Sequence, residues 1–223
     1  DEKGFDVVFA TPDGQPAEPD QRMVTGNGLG IWRPILRADR RGRDACHAMM
    51  ECAAYSDPLS YEDLADESFD AIALPGGHAP GMKDYLEATK LQSIIGRHMA
   101  ADRPLGAICH GVLLAARSKA PDSDESVLHG RETTALTRSQ ELSAWMMTRL
   151  WLGDYYRTYP ETVQDEVEAA LESSDDFHEG PFAMLRDNPD HLDRGFTVRD
   201  GNYISARWPG DAHRFATEFC EMI

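Results

Sequence analysis

The sequence predicts an α/β domain in which a mostly parallel sheet carries helices on both faces. Three observations support this. Short apolar runs alternate with helix-patterned segments in units of about 30 residues, the pattern of β-α-β connections. Two of those runs, FDVVFAT and FDAIALP, stop at turn signals in the manner of buried parallel strands. The chain has 223 residues, 41% hydrophobic and 27% charged, enough for one hydrophobic core of this kind.

The elements follow in order. Residues 5–11, FDVVFAT, are apolar and β-rich and end at PDGQP, which reads as a strand feeding a loop. Residues 33–65 mix helix-forming stretches cut by Gly42 and Pro58, and read as one or two helices over the sheet. FDAIALP, 69–75, repeats the first pattern and runs into Gly76 and Gly77. Across 89–101, Leu91, Ile94, Ile95, His98 and Met99 fall on one helical face. PLGAIC, 104–109, is the third strand, and GVLLAARS, 111–118, the next helix. After the loop KAPDSDES, the stretch SVLHGRETTALT reads as a small hairpin or paired short strands ending at Thr137. An amphipathic helix over 139–152 has Ser139 as its candidate N-cap. The acidic stretch 153–194, with a short helix at 162–172, reads as an insertion, and its Tyr155, Tyr156 and Tyr159 are candidate contacts between two copies of the chain. FTVRDGNYISARW forms a hairpin turning at Asp200-Gly201 or Gly201-Asn202, and a helix over 211–222 closes the chain. Together these elements make a flavodoxin-like three-layer sandwich, one domain over residues 1–223.

With 39 acidic against 22 basic residues, the net charge of −17 opposes nonspecific binding to nucleic acid or anionic lipid and favours a small-molecule substrate. No apolar run approaches the roughly 18 residues of a membrane span. Cys46, Cys52, Cys109 and Cys220 are scattered and form no CxxC pair, which points to a reducing compartment and hence the cytoplasm. The start carries no n-region and h-region of a signal peptide, although the chain begins at Asp1 rather than Met.

The chemistry concentrates in AICHG, 107–111. A nucleophile at the carboxyl end of a strand needs small neighbours, so that a sharp turn can expose it beside backbone N–H groups able to hold an oxyanion. Ala107 and Gly111 flank Cys109 at two residues on either side, a cysteine version of the nucleophile elbow. A helix starting at Gly111 aims its N-terminal dipole at the sulfur and favours thiolate, and His110 is a candidate base. The competing reading is an inert buried cysteine. LPGGHAP, 74–80, ends another strand in a double glycine, which makes the Gly77 amide a candidate oxyanion donor. Cys46, His47 and Cys52 match no common zinc spacing; His78, His110 and Glu141 are a weak alternative metal set, and GHAPGMK lacks P-loop spacing.

LPGGHAP and AICHG, about thirty residues apart, resemble the ThiJ/PfpI superfamily of class I glutamine amidotransferase-like folds, and FDVVFATPDG and DGNYISARWPGDAHRFA extend the resemblance over most of the chain. The resemblance implies that Cys109 is the reactive residue and His110 its partner, as in the heat-shock-type glyoxalases and PfpI-type peptidases. It gives the oxyanion hole to the Gly77 and His110 amides, puts Gly76 and His78 in the substrate pocket and, counted from Leu136, makes Glu141 the third member. A carboxylate in the first turn of a helix is favoured by the dipole in any case. The family also implies a homodimer, no cofactor, and a preceding strand and helix whose turn supplies a glutamate to the cysteine. Glu2 does not substitute for that glutamate, so about thirty further residues are expected before Asp1. The implied activity is cofactor-independent conversion of methylglyoxal to lactate, with amide or peptide hydrolysis second. Redox sensing or chaperone action through Cys109 without turnover is the rival reading. An ammonia-supplying glutaminase would need a late His-x-Glu pair, which His191 and His213 do not provide.

Overall fold

The computed structural model describes residues 3–182 and 185–223; Glu2 lies outside them. Ala10–Thr11 (β1) pairs in parallel with Leu59–Ser60 (β2) as a small separate sheet. The main sheet contains Ile72–Leu74 (β3), Leu105–Ile108 (β4), Thr197–Asp200 (β5) and Tyr203–Ala206 (β6), in the order β3-β4-β6-β5. The first three of these neighbours run parallel, and only the β5–β6 hairpin is antiparallel. Asp200 faces Tyr203 across that hairpin, so Gly201-Asn202 is the turn, with Gly201 at a φ of 58° that suits a two-residue loop.

The helices are Gln21–Thr25 (α1), Arg33–Leu36 (α2), Arg40–Glu51 (α3), Ala53–Ser56 (α4), Met82–Leu86 (α5), Thr89–Ala100 (α6), Gly111–Arg117 (α7), Arg138–Leu152 (α8), Val163–Ala170 (α9) and Ala212–Cys220 (α10). Alternation along β4 sorts them onto two faces. Leu105 and Ala107 join the core built with Ile95 of α6, Val112–Ala116 of α7 and Val167 of α9. Ile108, with Ile204 and Ala206 of β6, packs under Phe215 and Phe219 of α10. Those two rings, one helical turn apart, press so closely on Gly106 that a Cβ there would stand 2.9 Å from both. Burying each contributes about 1.5–3 kcal/mol. The three layers expected from the sequence are therefore present, and α6 buries all five residues expected on its inner face.

Five expectations change. Residues 33–65, read as one or two helices cut by Gly42 and Pro58, carry α2, α3 and α4, with Gly42 inside α3. FDVVFAT forms a strand only at Ala10–Thr11, while Val7 and Val8 are 40% and 48% exposed. Among the described residues only β2 pairs with β1, and β3 likewise ends the main sheet, so neither gains a ladder on its other side. SVLHGRETTALT forms neither a hairpin nor a pair of strands: a single backbone bridge joins Thr133 to Phe177, and the Thr134 amide donates to Ser205 Oγ at 2.9 Å. The N-cap of α8 is Thr137 rather than Ser139, in a reciprocal capping box with Gln140. The stretch 153–194 supplies core: Val163, Val167, Leu171 and Phe177 are buried, and Arg117 of α7 grips Glu166 of α9 bidentately at 2.6 and 2.9 Å. The short helix expected there is present, but it packs into the core, with its Glu166 meeting an arginine of the neighbouring helix.

Candidate active site

Cys109 sits where β4 passes into α7. Its amide donates to Ala206 O at 2.9 Å, tying the turn to the end of β6. Its φ is 59°, a left-handed conformation that costs a residue with a side chain about 1–2 kcal/mol. Two glycines let the turn close against the loop after β3. A Cβ on Gly76 would lie 2.5 Å from Cys109 Cβ and 2.6 Å from Ile108 O, and one on Gly111 would lie 2.3 Å from Leu74 O. Gly77 follows in that loop, and among the described residues no acceptor takes its amide.

His110 is 1% exposed and Cys109 7%. His110 Nδ1 lies 3.5 Å from Cys109 Sγ, and Nε2 lies 3.1 Å from Thr158 Oγ1. Burial pushes the thiol up to about 12; the His110 amide works against that rise, while Glu141 and Asp211 add to it. Burial pushes the imidazole down to about 3, with His78 and Arg117 acting in the same sense. The pair therefore rests as neutral thiol and neutral imidazole, not as the thiolate that the helix dipole alone would favour.

Glu141 is buried in the first turn of α8, but His110 is not its partner. Its Oε2 accepts the Val163 amide at 2.9 Å and its Oε1 stands 3.4 Å from Arg157 Nε. Burial raises its carboxyl, and the Val163 amide and Arg157 oppose that rise. Among the described residues, no hydrogen bond joins Glu141 to His110. The family resemblance put the carboxylate on the imidazole, but the His110 Nε2 contact in the structure is Thr158 Oγ1, carried by the loop after α8.

The dyad is roofed. The ring of His78 lies 6.3 Å from that of His110, 4.4 Å from Tyr156 and 5.1 Å from Tyr155. His78 Nε2 is sealed from solvent and has no hydrogen-bond partner among the described residues, and burial pushes its imidazole down to about 4. Above the tyrosines lies α1: Arg22 stacks 4.3 Å over Tyr155, the Tyr156 hydroxyl points at Met23 Sδ, and Asp20 accepts the Tyr155 hydroxyl while capping the helix through the Arg22 amide. Tyr159 donates to Glu87 and accepts from Arg117. The three tyrosines expected between two copies of the chain thus make their contacts within it. Among the described residues, no group of three or more His, Cys, Asp or Glu side chains is placed to hold a metal ion. Among the described residues, no helix is long and apolar enough to cross a membrane.

Residues 1–181 match the family described as ThiJ/PfpI family-like. The chain belongs to the ThiJ/PfpI family. A deglycase of Pyrococcus abyssi is 26% identical over 167 residues, 74% of this chain and 69% of the relative. A glutathione-independent glyoxalase of Schizosaccharomyces pombe is 31% identical over 90 residues, 40% of this chain and 37% of the relative. Among solved structures, glyoxalase III of Candida albicans superposes with a TM-score of 0.69 at 18% identity, covering 100% of this chain and 82% of the other. The Rapid Encystment Protein of Francisella tularensis gives 0.60 at 20%, covering 84% and 73%. At such identities the structures speak for the fold, which is the ThiJ/PfpI α/β sandwich.

In this ThiJ/PfpI chain, the loop after β3 and the elbow after β4 bring Gly76, His78, Cys109 and His110 next to one another. Sequence reasoning missed Thr158, Arg157, Asp20 and Arg22. A single threonine in a polar stretch gives no signal of its own, and α1 is a five-residue helix that composition does not distinguish from loop.

Proposed function

We propose that the protein is a cofactor-independent cysteine enzyme acting on small carbonyl compounds, with methylglyoxal the first substrate to test. The observation that carries this reading is the left-handed Cys109, packed on Gly76 and Gly111 and facing His110 Nδ1 at 3.5 Å. The names of the relatives, deglycase and glyoxalase, agree with it.

Because both groups rest neutral, attack and proton transfer go together. The Cys109 thiol proton passes to His110 Nδ1 as sulfur adds to the aldehyde carbon, and the amides of Gly77 and His110 face the oxygen that gains charge. The imidazolium returns its proton to that oxygen, leaving a hemithioacetal. His110 then takes the C1 proton, and the resulting enediol is reprotonated at C2, giving a thioester of the 2-hydroxy acid. Water cleaves the thioester, releasing lactate and restoring the thiol. No oxidant enters, because one carbon is reduced as its neighbour is oxidised. The partnerless His78 Nε2 suits the second oxygen of a dicarbonyl.

Redox sensing through Cys109 is the weaker reading, since oxidation follows exposure and thiolate character and this thiol has little of either. The test is lactate formation from methylglyoxal without glutathione or metal. Failure to act on methylglyoxal, glyoxal or simple amides overturns the enzymatic reading.

A further inference from the structure

We propose that Thr158 is the positioning residue of the dyad: its hydroxyl accepts the His110 Nε2 proton and so turns the bare Nδ1 towards Cys109 Sγ. This deepens the reading of Cys109 and His110 as the reacting pair and rests on it. The inference comes from what occupies the third place. His110 has two ring nitrogens and two partners, Sγ at 3.5 Å and Thr158 Oγ1 at 3.1 Å, and no carboxylate among the described residues touches the ring. To take the thiol proton, Nδ1 must be the unprotonated nitrogen, and then Nε2 carries hydrogen and needs an acceptor. The buried Thr158 hydroxyl is that acceptor.

Glu141 serves at one remove. Its two oxygens hold Arg157 and the Val163 amide, the two ends of the short stretch that carries Thr158. The carboxylate expected on the imidazole instead fixes the loop that brings the hydroxyl there. An alcohol in the third place brings no charge, so an imidazolium is not stabilised in the resting state and the dyad starts neutral. The charges that act on the pair are those of His78 and Arg117 on the imidazole and of Glu141 and Asp211 on the thiol.

The experiment is 15N NMR of the His110 side chain, read without substrate, in the wild type and in Thr158→Val and Thr158→Ser, with kcat and KM for methylglyoxal measured on the same samples. The expected spectrum shows the Nε2-protonated tautomer in the wild type and the serine variant, and mixed tautomers in the valine variant. Thr158→Val lowers kcat by about 10- to 100-fold with KM near wild type, and Thr158→Ser restores most of it. Should the valine variant not fold, Thr158→Ala gives the same readout. An unchanged tautomer in the valine or alanine variant, or a serine variant no better than valine, overturns the inference. A wild type that shows the expected tautomer but no turnover refutes the enzymatic reading and leaves the positioning of His110 standing.

Discussion

A Cβ on Gly76 would stand 2.5 Å from the Cβ of Cys109, closer than any two such atoms approach in a folded chain. The loop after β3 and the elbow after β4 are thus in contact with no room for a methyl group, and the backbone oxygen of Ile108 closes the other side at 2.6 Å. Gly76→Ala is expected to lower the unfolding free energy by about 2 kcal/mol or more, because the atoms it meets are backbone or bound to it. The urea midpoint measures this, and an unchanged midpoint would show that the two turns are not packed as described.

The strained backbone of Cys109 gives a prediction of unusual sign. Glycine normally costs stability through the freedom of the unfolded chain. At a φ of 59° that cost is reversed by removal of the left-handed penalty. Cys109→Gly is expected to be more stable than Cys109→Ala by about 1 kcal/mol, read from paired denaturation curves.

The roof over the dyad predicts thiol reactivity. Asp20 holds both the N-cap of α1 and the Tyr155 hydroxyl, and α1 is followed by Gly26, Gly28 and Gly30, all at positive φ. Loss of one charge-assisted hydrogen bond contributes about 1.5 kcal/mol towards opening, so Tyr155→Phe and Asp20→Asn are each expected to raise the rate of iodoacetamide labelling of Cys109 about tenfold. In the wild type, the half-buried Cys46, Cys52 and Cys220 label first. Equal labelling of Cys109 in wild type and variants would show that these contacts do not guard it.

Acid sensitivity follows from the two imidazoles. Folding lowers His78 to about 4 and His110 to about 3, so between there and the ordinary value of 6.5 the unfolded chain binds more protons. Their contribution to stability is complete above pH 6.5 and is lost as pH falls towards those values. A tenfold change in proton affinity corresponds to about 1.4 kcal/mol, so His78→Asn should lose less stability than wild type between pH 6.5 and 4.5, by about 1–2 kcal/mol. Parallel pH profiles for the two proteins would contradict the burial of a neutral His78.

The sequence made the sheet core legible because α6 keeps its apolar residues on one face and β4 and α7 are short, continuously apolar runs, and the elbow legible because Gly76 and Gly111 have a steric reason to be small. What could not be read lies where long-range contacts decide. FDVVFAT has the composition of a full strand, yet its extent depends on which neighbours pair with it. The acidic 153–194 stretch read as an insertion, yet Val163 and Val167 are buried in the core that α7 shares. Glu141 sits in the first helical turn, as expected, but which loop it holds depends on the path of the chain twenty residues later. Thr158 reaches His110 from 48 positions away, a contact that no local pattern announces.

The most direct measurement is kcat/KM for glutathione-free methylglyoxal consumption by wild type and by Cys109→Ala, with folding of both verified by circular dichroism. If Cys109 is the nucleophile, the alanine variant loses at least about a thousandfold. An alanine variant that turns over methylglyoxal within a few-fold of wild type would contradict the assignment of the elbow as the reacting centre.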